Sequence, residues 1–173
     1  MRYLLLLLLT ITTSCGVSRN FHEPESHSII TGSEQLTKYL HLLEGKKVGI
    51  VTNHTSLVNE THLVDTLLSL NIRIEKIFSP EHGFRGEVED GELIDNQVDT
   101  KTRLPVISLY GSRKKPSKAD IQNLDIIVFD MQDVGVRFYT YISTMHYVME
   151  ACAENDIPLL ILDRPNPNGW YID

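Results

Sequence analysis

The apolar positions change rhythm several times along the chain. From Thr31 they recur at helical spacing, at Leu36, Tyr39, Leu40 and Leu43, behind a T-G-S-E capping-box match and ahead of Gly45, which predicts a helix. A continuous run follows, "KKVGIVTN" at 46–53, and β-branched residues without alternation predict a strand buried on both faces of a parallel sheet. Helical spacing returns at about 60–70, with Leu63, Val64, Leu67 and Leu68 on one face. "IRIEKIFS" at 72–79 and "LPVISLYG" at 104–111 predict the second and third strands. A short helix near Lys118–Asn123 leads into "LDIIVFDMQD" at 124–133, and a longer one, about Tyr141 to Asn155, leads into "IPLLILDRPNPNG". Five strands alternating with helices predict right-handed βαβ crossovers and a three-layer α/β fold: a Rossmann-like, open, mostly parallel five-stranded sheet with helices on both faces. The interval from Ser79 to Leu104 breaks the alternation, being glycine-containing, acidic and without helical period. Loops of that length in compact domains are usually functional or mobile.

Ahead of the regular pattern stands "MRYLLLLLLTITTSCG", one positive charge and a leucine run too short to span a bilayer. It predicts export, to the periplasm or the cell surface. The cysteine directly after the apolar run resembles a lipoprotein box, with Thr12 where leucine is usual, so residues 1–15 are expected to be a lipoprotein-type signal with Cys15 lipidated. An ordinary cleaved signal is the alternative. Residues 16–30 lack periodicity and are expected to be a tether, leaving 31–173 as the α/β domain, with membrane contact only through the lipid. Cys152 then has no disulfide partner, and its place on an apolar helix face predicts a small core residue. Hydrophobic residues make up 42% of the 173, enough for one core. The net charge of -7, with no basic run longer than "SRKKPSK", argues against a nucleic-acid partner.

Candidate chemistry collects at the predicted carboxyl ends of the strands, the edge where open parallel sheets bind ligands. In order these ends carry Asn53 and His54; Glu81, His82 and Arg85; Tyr110; Asp130, Gln132 and Asp133; and Asp163, Arg164 and Asn166. The turn after the first strand, "TNHTSLV", lacks the glycines of a dinucleotide site, and no G-x-S-x-G nucleophile turn is present. A metal hydrolase using His54, His82 and Asp133, with Asp130 near, is one alternative, although the spacing matches no ligand motif. Carboxylate acid–base catalysis fits better: Pro80 stiffens the turn before Glu81, Gly83 permits close backbone approach, and a shielded glutamate is raised toward the range of a general acid. Glu87, Glu92, Asp130 and Asp133 are candidates for the second carboxylate; the bland alternative for Glu87 and Glu92 is a solvated loop. Arg137, Tyr139 and Tyr141 suit stacking on and hydrogen-bonding to a sugar, or else the aromatic packing of a helix N-terminus.

In order, "VGIVTNHTSLV", "IFSPEHGFRGEVEDGE", "LPVISLYG", "DIIVFDMQDVGVRFYTYISTM" and "LILDRPNPNG" resemble the N-terminal part of the exo-β-N-acetylmuramidase family, the NamZ-type proteins formerly known as a domain of unknown function. The resemblance covers nearly everything from Lys46 to Gly169. It implies a hydrolase that releases N-acetylmuramic acid from the non-reducing ends of peptidoglycan fragments, without metal or other cofactor, in a cleft between a Rossmann-like subdomain and a second one. Carried over, it implies Glu81 as catalytic acid; Glu87 and Asp133, the candidate catalytic partners read from the residues, fall on family motif positions of the sugar site. Asn53, His82, Arg85, Gln132, Arg137 and Tyr139 fall on positions that shape the sugar site. A lipid-anchored sugar-binding module without catalysis is the alternative of a different class. Family members continue into the second subdomain whereas the sequence ends at Asp173, so the chain by itself is expected to turn over poorly, because transition-state stabilisation needs both walls.

Overall fold

The computed structural model describes residues 29–81, 83–86 and 96–170. Its elements in chain order are α1 (Leu36–Leu43), β1 (Val48–Thr52), β2 (Leu57–Val58), β3 (Thr61–His62), α2 (Leu63–Ser69), β4 (Ile74–Ser79), β5 (Gln97–Val98), β6 (Pro105–Ser108), α3 (Lys118–Ile121), β7 (Ile126–Asp130), α4 (Tyr141–Glu154) and β8 (Leu159–Ile161). The main sheet has the order β5-β6-β4-β1-β7-β8. The β6-β4-β1-β7-β8 pairs are parallel, and they are the five strands that the apolar runs predict.

The sheet corrects the predicted count from five strands to six. Inside the described residues of the long 79–104 interval, β5 adds antiparallel to β6, pairing Gln97 with Val106 and Val98 with Pro105. Both β5 residues are exposed. A two-residue edge strand has no buried face, so no alternation marks it, and only its hydrogen bonds to β6 define it. The second difference lies before α2. Residues 60–62, predicted to open that helix, instead belong to the second half of the β2–β3 hairpin, which turns at Asn59 with φ 53, and the helix begins at Leu63. Asn tolerates the left-handed region better than most residues. The T-G-S-E box also acts one turn early: the Glu34 carboxylate accepts from Thr31 N–H at 2.7 Å and from its hydroxyl at 2.8 Å, yet α1 starts only at Leu36.

Strand alternation distributes the core to both faces. Val48 and Ile50 of β1, with Ile126 and Val128 of β7, pack with α1 and α2 around Tyr39, Leu43, Leu63 and Leu67. Their neighbours Val51, Ile127 and Phe129 pack on the opposite face with Ile121 of α3 and Tyr141, Val148 and Cys152 of α4. Cys152 is a core residue, as expected, and burial pushes its thiol up to about 11. The "SRKKPSK" stretch is partly spent on ion pairs: Arg113 with Asp120 at 2.5 Å, and Lys115 with Glu154 at 2.7 Å and Glu150 at 3.3 Å.

The segment before α1 is strapped across the exit of β8. Gly32 N–H donates to Asp163 C=O at 2.7 Å, and Ser33 is fully buried. Arg164 holds the strap from below: its guanidinium donates to Ser33 Oγ and Leu57 C=O, both at 2.9 Å, and to both oxygens of Asp130 at 2.6 and 3.0 Å.

Candidate active site at the strand-order reversal

From β1 the chain adds strands in one direction, β4 then β6, and afterwards crosses back to place β7 and β8 on the other side of β1. The crevice between the carboxyl ends of β1 and β7 is therefore the topological switch point, where loops leaving neighbouring strands diverge and make room for a ligand.

Asn53 stands at this point and is fully buried. Its Oδ1 accepts from Thr55 N–H at 3.0 Å and from the Thr55 hydroxyl at 2.7 Å, so the loop turns tightly over the end of β1. Thr55 Oγ1 in turn accepts from Gln132 N–H at 3.3 Å, and the Ser56 hydroxyl donates to Asp130 C=O, which ties the β1 loop to the exit of β7. Asn53 Nδ2 is the one buried side-chain polar atom without a hydrogen-bond partner among the described residues. An unmatched buried donor costs about 1–3 kcal/mol.

On the β4 side, Pro80 C=O accepts from Gly83 N–H at 3.3 Å, closing a turn around half-buried Glu81. Gly83 holds φ 74, a conformation in which a side chain would be strained. Arg85 points toward the β6 side of this loop: Nε and Nη2 form a fork on Asp99, at 2.8 and 3.0 Å, and the two terminal nitrogens reach Asp65 of α2 at 3.3 Å. Its partners, Asp99 first, hold Arg85 further into its charged range, and the Arg85 guanidinium holds the Asp99 carboxyl far below the usual carboxylate range. The guanidinium also lies 4.5 Å from the centre of the Phe84 ring, which meets His62 edge-on at 4.7 Å. His62 Nδ1 accepts from Val64 N–H at 3.2 Å, so its Nε2 carries the hydrogen and donates to Asn53 C=O at 2.9 Å. Burial lowers the His62 pKa from 6.5.

On the β7 side, the Gln132 side chain donates to Asp133 C=O at 2.7 Å and Pro165 C=O at 3.0 Å, joining the β7 and β8 exits. Asp133 Oδ1 accepts from Gly135 N–H at 2.7 Å in a local turn. Arg137 is exposed, and half-buried Tyr139 packs edge-on against Tyr141 with 4.9 Å between ring centres. Beside Asp133 a cavity of about 140 Å³ opens toward α4, walled by Met131, Tyr141, Met145 and Leu162, with Arg164 at its base. Burial pushes the Asp130 carboxyl up against the downward pull of Arg164.

The fold thus brings Asn53, Gln132 and Asp133 together at the crevice, with Glu81 across β1 from Asp133. β4 and β7, whose exit loops hold those two carboxylates, are two strand spacings apart, about 10 Å. Arg85 is turned away into its acidic pair, and Arg137 stands in solvent. His82, Glu87 and Glu92 lie outside the described residues, as does Cys15. Among the described residues, no three His, Cys, Asp or Glu side chains gather in a metal-holding group. His54 lies exposed near Gly86, whereas Asp130 is buried under Arg164. The sequence reading missed Asp65 and Asp99. Neither follows a parallel strand, and the one available signal was a D-x-x-T turn in which Thr102 N–H and hydroxyl donate to Asp99 at 2.8 and 2.6 Å.

A family model described as the exo-β-N-acetylmuramidase NamZ, N-terminal, matches residues 48–173. The chain is 48% identical over 139 residues to the peptidoglycan β-N-acetylmuramidase NamZ of Bacillus subtilis (strain 168), covering 78% of this chain and 33% of that protein. It thus spans a third of that relative's length. Two solved structures are similar, both DUF1343-family proteins of Bacteroides fragilis NCTC 9343. One is 48% identical with TM-score 0.72, covering 83% of this chain and 37% of that one; the other is 42% identical with TM-score 0.72, covering 80% and 35%.

Proposed function

The chain belongs to the exo-β-N-acetylmuramidase NamZ family, within its N-terminal region, and from this we propose that it supplies the Rossmann-like half of a glycosidase acting on peptidoglycan fragments. The substrate is a muramyl sugar at a non-reducing end, and the product is N-acetylmuramic acid. The observation that carries the reading is the 48% identity over 139 residues to a peptidoglycan β-N-acetylmuramidase, together with a family match over residues 48–173 that contains the strand-end cluster. Glu81 is the general acid: the β4 exit turn holds it half-buried at the ligand edge of the sheet. Asp133, in the loop that leaves β7 and at the rim of the cavity beside α4, acts as the second carboxylate.

Glu81 gives its proton to the glycosidic oxygen as the bond to the leaving sugar breaks, a water supplies the oxygen that ends on the anomeric carbon, and the proton that water loses is taken up by a carboxylate of the pair. Asn53 supports this placement. Its buried Nδ2 has no protein partner among the described residues and is a donor that a ligand oxygen can satisfy.

The test is Glu81→Gln, assayed by release of N-acetylmuramic acid from a chromogenic β-N-acetylmuramide and by calorimetric binding of N-acetylmuramic acid. The expected outcome is loss of at least about a hundredfold in kcat with binding within about twofold, as for removal of a general acid. Unchanged turnover in the variant would remove Glu81 from the mechanism. Binding without turnover in a protein that carries both subdomains would favour a sugar-binding module.

A further inference from the structure

Arg85 is the residue whose observed environment departs most from the role implied by the family resemblance. A guanidinium poised for an anionic substrate keeps its donors open, whereas this one is forked on Asp99 and also bonded to Asp65, with Lys101 Nζ donating to Asp65 at 2.7 Å. Asp65, Arg85 and Asp99 are only 15%, 22% and 5% exposed at their side chains, so water screens the cluster weakly. A substrate carboxylate would have to displace both acids.

We propose that Asp99 and Asp65, acting through Arg85, position the loop that carries Glu81, and that Arg85 does not contact the sugar. This rests on the reading of Glu81 as the general acid. Bidentate arginine–carboxylate pairs fix orientation as well as distance, because the planar fork matches two oxygens at once. Here the fork joins the β4 exit loop to the edge hairpin of β5 and β6, and the contact with Asp65 adds the first turn of α2. The hold then passes inward by packing, from the guanidinium to Phe84, from Phe84 to His62, and from the His62 N–H to the Asn53 carbonyl. The Glu81 loop and the floor of the crevice are therefore located by one connected set of side chains, none of which stands at the crevice itself. Lysine in place of Arg85 keeps the charge and loses the fork.

The experiment compares Arg85→Lys, Asp99→Asn and Asp65→Asn in kcat and KM for the muramide, in calorimetric binding of N-acetylmuramic acid, and in amide hydrogen exchange of residues 83–86. A positioning role predicts a fall in kcat of about a hundredfold for Arg85→Lys and Asp99→Asn, since displacement of a reacting group by about 1 Å costs that much. KM and sugar binding stay within about twofold, and amides 83–86 exchange faster while core amides do not. Asp65→Asn, which removes the longer contacts, has a smaller effect in the same direction. The double variant Arg85→Ala/Asp99→Ala is no worse than Arg85→Ala alone. A rise in KM or loss of sugar binding in Arg85→Lys, with Asp99→Asn unaffected, would show that Arg85 contacts substrate and overturn the proposal. So would unchanged exchange at 83–86 in variants that fold. Turnover is read in the protein that carries both subdomains; if that protein releases no N-acetylmuramic acid the catalytic reading fails by itself, and the exchange data still decide whether the pair holds the loop.

Discussion

Gly32 shows what one position contributes. A Cβ built there would lie 2.5 Å from Asp163 N and 2.8 Å from the Leu162 carbonyl carbon, both backbone atoms that cannot swing aside. Gly32→Ala is expected to destabilise the fold by about 1–3 kcal/mol, the usual cost of overpacking, read as a lower urea midpoint at unchanged slope. The sequence marks Gly32 only as part of a capping box, because the backbone it must approach lies at the far end of the chain. Glu81 is the opposite case. Its proline, histidine and glycine neighbours at the end of an apolar run were enough to single it out. Arg85 was singled out by the sequence, but its pairing with Asp99 and Asp65 was not, since the two acids come from a helix and from the edge hairpin, both remote in sequence.

At the scale of elements, long apolar runs were read correctly and short polar pairings were not. Strands β1, β4, β6 and β7 bury residues on both faces and announce themselves, and the edge strand β8 half-buries Leu159 against one core and Leu160 against the other. The hairpin of β2 and β3 buries one residue per strand, Val58 and His62. His62 lets that hairpin be tested. Burial lowers its folded pKa below 6.5, while unfolded His62 binds its proton near 6.5. The unfolded state then holds more protons as pH falls through that window, so stability falls below about pH 6.5. Protonation also removes the Nδ1 lone pair that accepts from Val64 N–H. Thermal melts from about pH 8 to about pH 5 are expected to show a steeper acid loss for the unsubstituted chain than for His62→Gln, the difference between the two cancelling the carboxylates common to both. Parallel curves would remove His62 from the acid response.

Across the whole molecule, the buried pair of Arg164 and Asp130 ties the N-terminal strap, the β2 loop and the exits of β7 and β8 together, with side chains 7% and 0% exposed. Arg164→Met leaves a buried carboxylate without its cation and is expected to cost about 3–5 kcal/mol by urea unfolding, whereas Arg164→Met with Asp130→Leu recovers most of that. The deficit of the single variant shrinks toward acid pH, where Asp130 protonates. A double variant as unstable as the single one would mean that Arg164 matters through Ser33 and Leu57 instead. The sequence by itself determined the α/β class, the five parallel strands and the edge on which polar side chains collect, because burial on two faces writes itself as an uninterrupted apolar run and strand ends as abrupt polarity. The tertiary structure decided the strand order, and with it that Asn53 stands between Glu81 and Asp133. It also decided that Arg85 faces two acids and that Gly32 lies against Asp163. Those outcomes depend on which elements become neighbours, and the free energy that selects neighbours comes from contacts between segments far apart in the chain, on which local pattern carries no information.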